Sequence, residues 1–225
     1  MAAGISEVLT YAIGVAISAV AIIAVILMLF SSRAKVNGLM FLLGWVVALA
    51  AVSGVAYLIS DAGNASTSTT AADTVSWGQI VFGVLFLFLA GRSWRNRPEA
   101  GAGAEMPKWM AGIDSFAPGK ALGLGVLLAG ANPKNLLLAV GAGSALAVSG
   151  PSTSEAVVAL VAFVIVGSLT IAGPVVFYLV GGDRAKTPLE SAKGWLVVHN
   201  DAVMTVLFLV FGVDLIAKGI PPLSG

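Results

Sequence analysis

The sequence predicts an all-α polytopic membrane protein, with six transmembrane helices arranged as an inverted 3+3 repeat and the fourth helix broken. Three observations carry this expectation. Hydrophobic residues make up 58% of the chain and charged residues only 10%, whereas soluble domains hold roughly 25% charged residues; a water-soluble fold of this size could not bury so much apolar surface. Apolar runs recur six times along the chain, and about 20 helical apolar residues suffice to cross a bilayer core. The fourth run exceeds that length and carries Asn132-Pro133-Lys134-Asn135 at its middle.

The runs lie near 8–30, 37–60, 76–91, 120–149, 155–180 and 198–217. The first is too long for the apolar region of a signal peptide, has no basic n-region and lacks a small-residue cleavage site, so it reads as a retained span. Ser18-Ala19 stands in it where Asn132-Pro133 stands in the fourth. The second run has Gly44 and Tyr57-Leu58, the fifth Gly167 and Tyr178-Leu179. The third, the shortest, has Val84-Leu85-Phe86-Leu87-Phe88, and the sixth Val206-Leu207-Phe208-Leu209-Val210. The matches keep their order. Three spans per half give the halves opposite orientation, and inverted repeats place a site at their interface near mid-membrane. The domains are then 1–98, a first three-helix repeat; 99–118, a cytoplasmic connection; and 119–225, the second repeat.

Ten of the 12 Lys and Arg fall in three loops: Arg33 and Lys35; Arg92, Arg95, Arg97, Lys108 and Lys120; Arg184, Lys186 and Lys193. The positive-inside rule puts these loops in the cytoplasm and both termini outside. Within the longest loop, Trp109, Met110, Ile113 and Phe116 fall at helical spacing and predict an amphipathic surface helix over 107–116. It serves as an interfacial anchor or, alternatively, as a gate or partner surface.

The polar residues inside the spans are few. Pro133 cannot donate to Ala129 and crowds its carbonyl, and Asn132, preceding proline, is biased away from helix. Lys134 places an ammonium near mid-membrane, which costs about 2.5–3.5 kcal/mol on insertion scales. It acts on substrate, or it is a structural lysine bonding carbonyls freed by Pro133. Asn132 and Asn135 cap the half-helices or bind substrate. Asp214 in the sixth span pairs with Lys218 at i,i+4 or serves as a counter-charge or proton site facing Lys134. His199, Asn200 and Asp201 open the sixth span, with Asp201 or Asn200 as its N-cap; His199, which titrates near neutral pH, and Asp201 are the candidate proton site. Pro174 frees the Thr170 carbonyl and predicts a kink in the fifth span. Without cysteine, disulfides, thiolate metal sites and iron–sulfur clusters are excluded. No metal-ligand cluster and no nucleophile–base pair is legible, so neither cofactor nor enzymatic activity is expected. A net charge of +1 gives no reason to expect nucleic acid as a partner.

Pro107-Lys108-Trp109-Met110, Asp114, Pro118-Gly119, Gly125 and Asn132-Pro133-Lys134-Asn135-Leu136 together resemble the peptidoglycolipid (glycopeptidolipid) addressing proteins, the GAP or Sap-like family of the lysine-exporter (LysE) superfamily. The resemblance covers essentially the whole chain. It implies the 3+3 membrane fold and a role in moving envelope glycolipids in the plasma membrane of actinobacteria. One departure is that relatives commonly carry proline in the first span, where this chain reads Ile17-Ser18-Ala19; the first span is therefore expected to be less broken than the fourth.

The expected function is export or translocation of an envelope glycolipid or its precursor, with Ser18, Asn132, Pro133, Lys134, Asn135 and Asp214 as the substrate-binding or coupling residues. Two alternatives stay open: a small-solute exporter for amino acids or organic cations, and a non-transporting accessory subunit of lipid-synthesis machinery. Expected partners are the bilayer, the lipid substrate, a second copy of the chain, and lipid-synthesis or export proteins.

Overall fold

The computed structural model describes residues 2–66, 70–96, 112–113 and 115–220, and all regular structure among them is helical. Helices α1 (Ala2–Ala16), α2 (Ala19–Leu29), α3 (Ala34–Ser66) and α4 (Thr70–Asn96) are followed by α5 (Pro118–Val126), a π-turn (Leu127–Ala131) and α6 (Pro133–Val148). Helix α7 (Thr153–Gly181), a 3₁₀ turn (Gly182–Ala185) and α8 (Lys186–Gly219) complete the chain. Two helical stretches, Ala34–Ala62 and Thr153–Ala217, are long and apolar enough to cross a membrane. The bent pairs Gly4–Ala16 with Ala19–Leu29 and Pro118–Ala131 with Pro133–Val148 raise the candidate spans to four if each pair is one span. This is an all-helical membrane protein with two to four spans by length and composition.

The chain divides into two compact units. The first comprises Met1–Asp61 and Glu105–Val197. Helix α1 packs on α6 and α7, and α2 on α7. Trp45, Phe41, Phe163, Met28 and Leu146 are among its fully buried side chains. Helices α3 and α5 meet backbone to backbone. A Cβ on Gly44 would collide with the Leu122 carbonyl, and one on Gly125 with the Phe41 carbonyl. Glycine at such crossings lets membrane helices approach closely enough for dispersion to hold them where lipid offers no hydrophobic gain. Helix α7 opens on a capping box, in which Ser152 and Glu155 satisfy each other's backbone N–H, and it runs through Pro174 as one continuous element. It ends at Gly182, whose φ of 56° a side-chain-bearing residue rarely adopts.

The second unit comprises Ala62–Ala104 and Val198–Gly225. Here α4 crosses the later half of α8 at a pair of glycines. A Cβ on Gly83 would lie 2.8 Å from the Gly212 carbonyl oxygen, and one on Gly212 3.0 Å from that of Gly83. Beside the crossing, the Phe86 ring stacks on Phe208 at 5.6 Å and tilts against Phe211 at 6.4 Å.

One expectation is corrected here. Helix α8 begins at Lys186 rather than near residue 198, because Pro188 falls in the first turn, where backbone N–H groups have no helical acceptor and proline forfeits nothing. His199, Asn200 and Asp201 therefore lie inside a helix, and neither Asn200 nor Asp201 is an N-cap. The expected surface helix over 107–116 lies largely outside the described residues; at its end Ile113 is fully buried, and the Phe116 carbonyl accepts a 2.9 Å hydrogen bond from Asn37 Nδ2.

Candidate functional site

The site is built from two interruptions in helices of the first unit. In the first, α5 passes at Leu127 into π register, so that Asn132 N–H donates to the Leu127 carbonyl, five residues back, at 3.0 Å. In that register the next donor would reach Leu128, but Pro133 has no N–H. The side chain of Asn135 takes its place: Nδ2 donates to the Leu128 carbonyl at 2.8 Å. Asn132 is extended, with ψ 121°, as pre-proline residues prefer. Its Oδ1 accepts from Lys134 N–H at 3.0 Å, which caps α6 with Pro133 at the first helical position. The two segments are bent by 63° at this point.

The second interruption separates α1 from α2. It contains no proline, yet the segments are bent by 57°, a little less than the 63° at Asn132–Pro133. The carbonyls at the end of α1 show why the bend is tolerated. Ile13 accepts from Ile17 N–H at 3.1 Å, and Ala16 accepts from Ser18 N–H at 2.9 Å and from Thr170 Oγ1. Gly14 and Ile17 both accept from Lys134 Nζ, each at 2.8 Å. Three carbonyls orphaned by ending the helix, those of Gly14, Ala16 and Ile17, thus have donors, two of them supplied by one lysine.

Lys134 is only 5% exposed. It sits in the first turn of its own helix, the wrong end for a cation, and reaches the C-terminal end of α1, the favourable end. The carbonyls it bonds are those of Gly14, in the last turn of α1, and Ile17, just past its end, a correction to the reading in which Lys134 serves carbonyls freed by Pro133; Asn135 does that. Among the described residues Lys134 has no carboxylate partner, and two of the three N–H donors of its ammonium have acceptors. Asn135 is fully buried, and its Nδ2 also lies 3.3 Å from Ser18 Oγ. Its Oδ1 is without a hydrogen-bond partner among the described residues, as is Ser168 Oγ on α7. A buried polar atom left so costs about 1–3 kcal/mol, and such atoms point to a water or ligand that belongs there.

The structure therefore gathers Ser18, Asn132, Pro133, Lys134 and Asn135 into one cluster. His199, Asp201 and Asp214 belong to the second unit. There His199 is exposed on α8, Asp201 Oδ1 accepts from Asn200 Nδ2 at 3.0 Å, and Asp214 is half-buried. The side chain of Lys218 lies outside the described residues, so its pairing with Asp214 does too.

Sequence reasoning missed Gly14, Ile17 and Thr170 as members of the cluster. The first two contribute only backbone oxygens, for which no residue type is diagnostic. Thr170 stood out only as a neighbour of Pro174. Trp45 was also missed; its Nε1 donates to the Gly167 carbonyl at 3.3 Å and ties α3 to α7.

A family model described as Sap, sulfolipid-1-addressing protein, matches residues 8–221. No curated protein and no solved structure matches the chain.

Proposed function

The chain belongs to the family of Sap, the sulfolipid-1-addressing proteins, and from that premise we propose that it exports or translocates an envelope glycolipid or its precursor across the bacterial plasma membrane. The observation that carries this reading is the buried Lys134 ammonium, held at a helix interruption with no carboxylate and with one N–H left over among the described residues. A sulfate, phosphate or other anionic oxygen of a head group would take that N–H. A head-group hydroxyl would donate to Asn135 Oδ1. Ser18 and Asn132 hold the two helix ends open around them. The acyl tails stay in the bilayer, so no closed cavity is required.

In this reading α1 with α2 forms one broken span, α5 with α6 another, and α3, α4, α7 and α8 supply four more. The inverted 3+3 arrangement is supported by Ser18 and Asn132, which stand at matching places in the two halves, each preceding the second part of an interrupted helix. The lysine-exporter superfamily, which the sequence resembles, includes exporters of small solutes. A zwitterion brings two charges that each need a partner once buried, and Lys134 is the one buried side chain of Lys, Arg, His, Asp or Glu type among the described residues. That scarcity favours a lipid.

Purified protein in liposomes should move a fluorescent sulfated glycolipid between leaflets and should not release trapped lysine. Lysine efflux well above that of empty liposomes, with no lipid movement, would promote the small-solute exporter. Absence of both activities, from protein that is folded by size-exclusion profile, would favour the accessory-subunit reading.

The proposed orientation has both termini outside. The chain has no cysteine, so single cysteines report cleanly. In intact cells an impermeant thiol reagent should label Ser154→Cys, in the first turn of α7, and leave Thr187→Cys, at the start of α8, unlabelled. The opposite pattern would invert the topology.

A further inference from the structure

Helices α4 and α8 touch at Gly83 and Gly212 and leave a groove of about 590 Å³ further along. Its α4 wall is Leu87, Ala90, Gly91 and Trp94, at the i, i+3, i+4, i+7 spacing of one helix face; Val206 and Leu209 lie opposite on α8. The groove is almost wholly apolar. On the other side of the Leu87–Gly91 ridge a second hollow, of about 400 Å³, is lined by Phe88, Arg92 and Arg95. Both arginines are exposed, and neither has an acidic partner among the described residues. One helix segment thus presents an apolar slot for a hydrocarbon chain and, a turn away, two cations.

We propose that this segment holds an anionic phospholipid of the bilayer, with an acyl chain between α4 and α8 and the phosphate on Arg92 and Arg95. Charge complementarity selects the head group, since guanidinium groups bind phosphate in a fork geometry that a zwitterionic lipid engages less well because its own cation competes. Juxtamembrane basic residues attract anionic lipids, and Trp94 stands at the same level, as tryptophan does at membrane interfaces. The occupant is a phospholipid rather than the transported lipid because the cluster around Lys134 shares no residue with this segment, and because the bilayer supplies phospholipid at high concentration. The role is that of a resident lipid, and it does not depend on transport.

The test is native mass spectrometry of the full chain, released from mild detergent after addition of phosphatidylglycerol, phosphatidylcholine or a sulfated glycolipid. Wild type should retain phosphatidylglycerol about thirtyfold more strongly than phosphatidylcholine, as expected for two basic residues at a membrane surface. Arg92→Gln with Arg95→Gln should remove that preference, whereas Arg184→Gln, in the first unit, should not. Gly91→Phe should lower retention of both phospholipids. Nothing lies within 4 Å of a Cβ at Gly91, so the new ring can fill the groove without displacing a neighbour. If that variant does not fold, the arginine pair decides alone. Equal retention of the two phospholipids by wild type would overturn the proposal, as would retention unchanged in the double arginine variant. Displacement of phosphatidylglycerol by an equal amount of the sulfated glycolipid would assign the groove to substrate and overturn it as well.

Discussion

Lys134→Met is expected to abolish lipid movement while leaving the protein folded in the membrane. Two terms set the expectation for folding. Removing a charge from the bilayer core saves about 2.5–3.5 kcal/mol on insertion scales. Leaving the Gly14 and Ile17 carbonyls without donors costs about 1–3 kcal/mol each. These nearly offset, and methionine keeps the apolar stem in place. Transport has no such compensation. A hydrogen bond to a charged group contributes about 1.5–3 kcal/mol, so its loss lowers head-group engagement about ten- to a hundredfold. Lys134→Arg keeps the charge in a longer, planar group and should retain part of the activity. The measurement is leaflet-to-leaflet movement of labelled glycolipid in liposomes, normalised to folded protein. Normal transport by the methionine variant would remove Lys134 from the mechanism. Loss of folded protein in both variants would show that its bonds to α1 are structural.

Gly125→Ala is expected to destabilise the fold, whereas Gly123→Ala, on the same helix, is not. A methyl group at Gly125 lands on the Phe41 carbonyl, and α3 cannot yield there without moving, since Gly44 already holds it against Leu122. Overpacking of this kind costs about 1–3 kcal/mol, and the neighbour here is backbone rather than a side chain that can turn aside. At Gly123 nothing lies within 4 Å of the added carbon. There the substitution gains the helix preference of alanine over glycine, about 0.5–1 kcal/mol. Thermal unfolding in detergent should fall for the first variant and hold or rise for the second. Equal behaviour of the two would mean that the α3–α5 contact is not a tight one.

Much of this molecule is legible in one dimension. Apolar content and run length determine that it is a helical membrane protein, because a bilayer accepts only segments whose backbone groups are satisfied internally. Asn132-Pro133 determines where the fourth run is interrupted, because a proline lacks its donor in any surroundings and restrains the residue before it. The sequence also marks Lys134 as a buried charge needing partners.

Other features lay beyond it. The partners of Lys134 are main-chain oxygens of Gly14 and Ile17, more than a hundred residues away; every residue carries such an oxygen, so composition cannot say which ones are free. The π register before Pro133 appears only once the Asn135 side chain is found on the Leu128 carbonyl, and without that donor the wider turn would leave a carbonyl unsatisfied. The bend between α1 and α2 has no breaking residue; donors from α6 and α7 replace the bonds it loses. The start of α8, twelve residues ahead of the apolar run, was hidden because its first turns are polar while the helix itself needs no apolar face there. Local chemistry acts on the chain wherever it goes and can be read from it, whereas the choice of acceptor, and of which glycine meets which carbonyl, exists only after the helices have packed and so belongs to the tertiary structure.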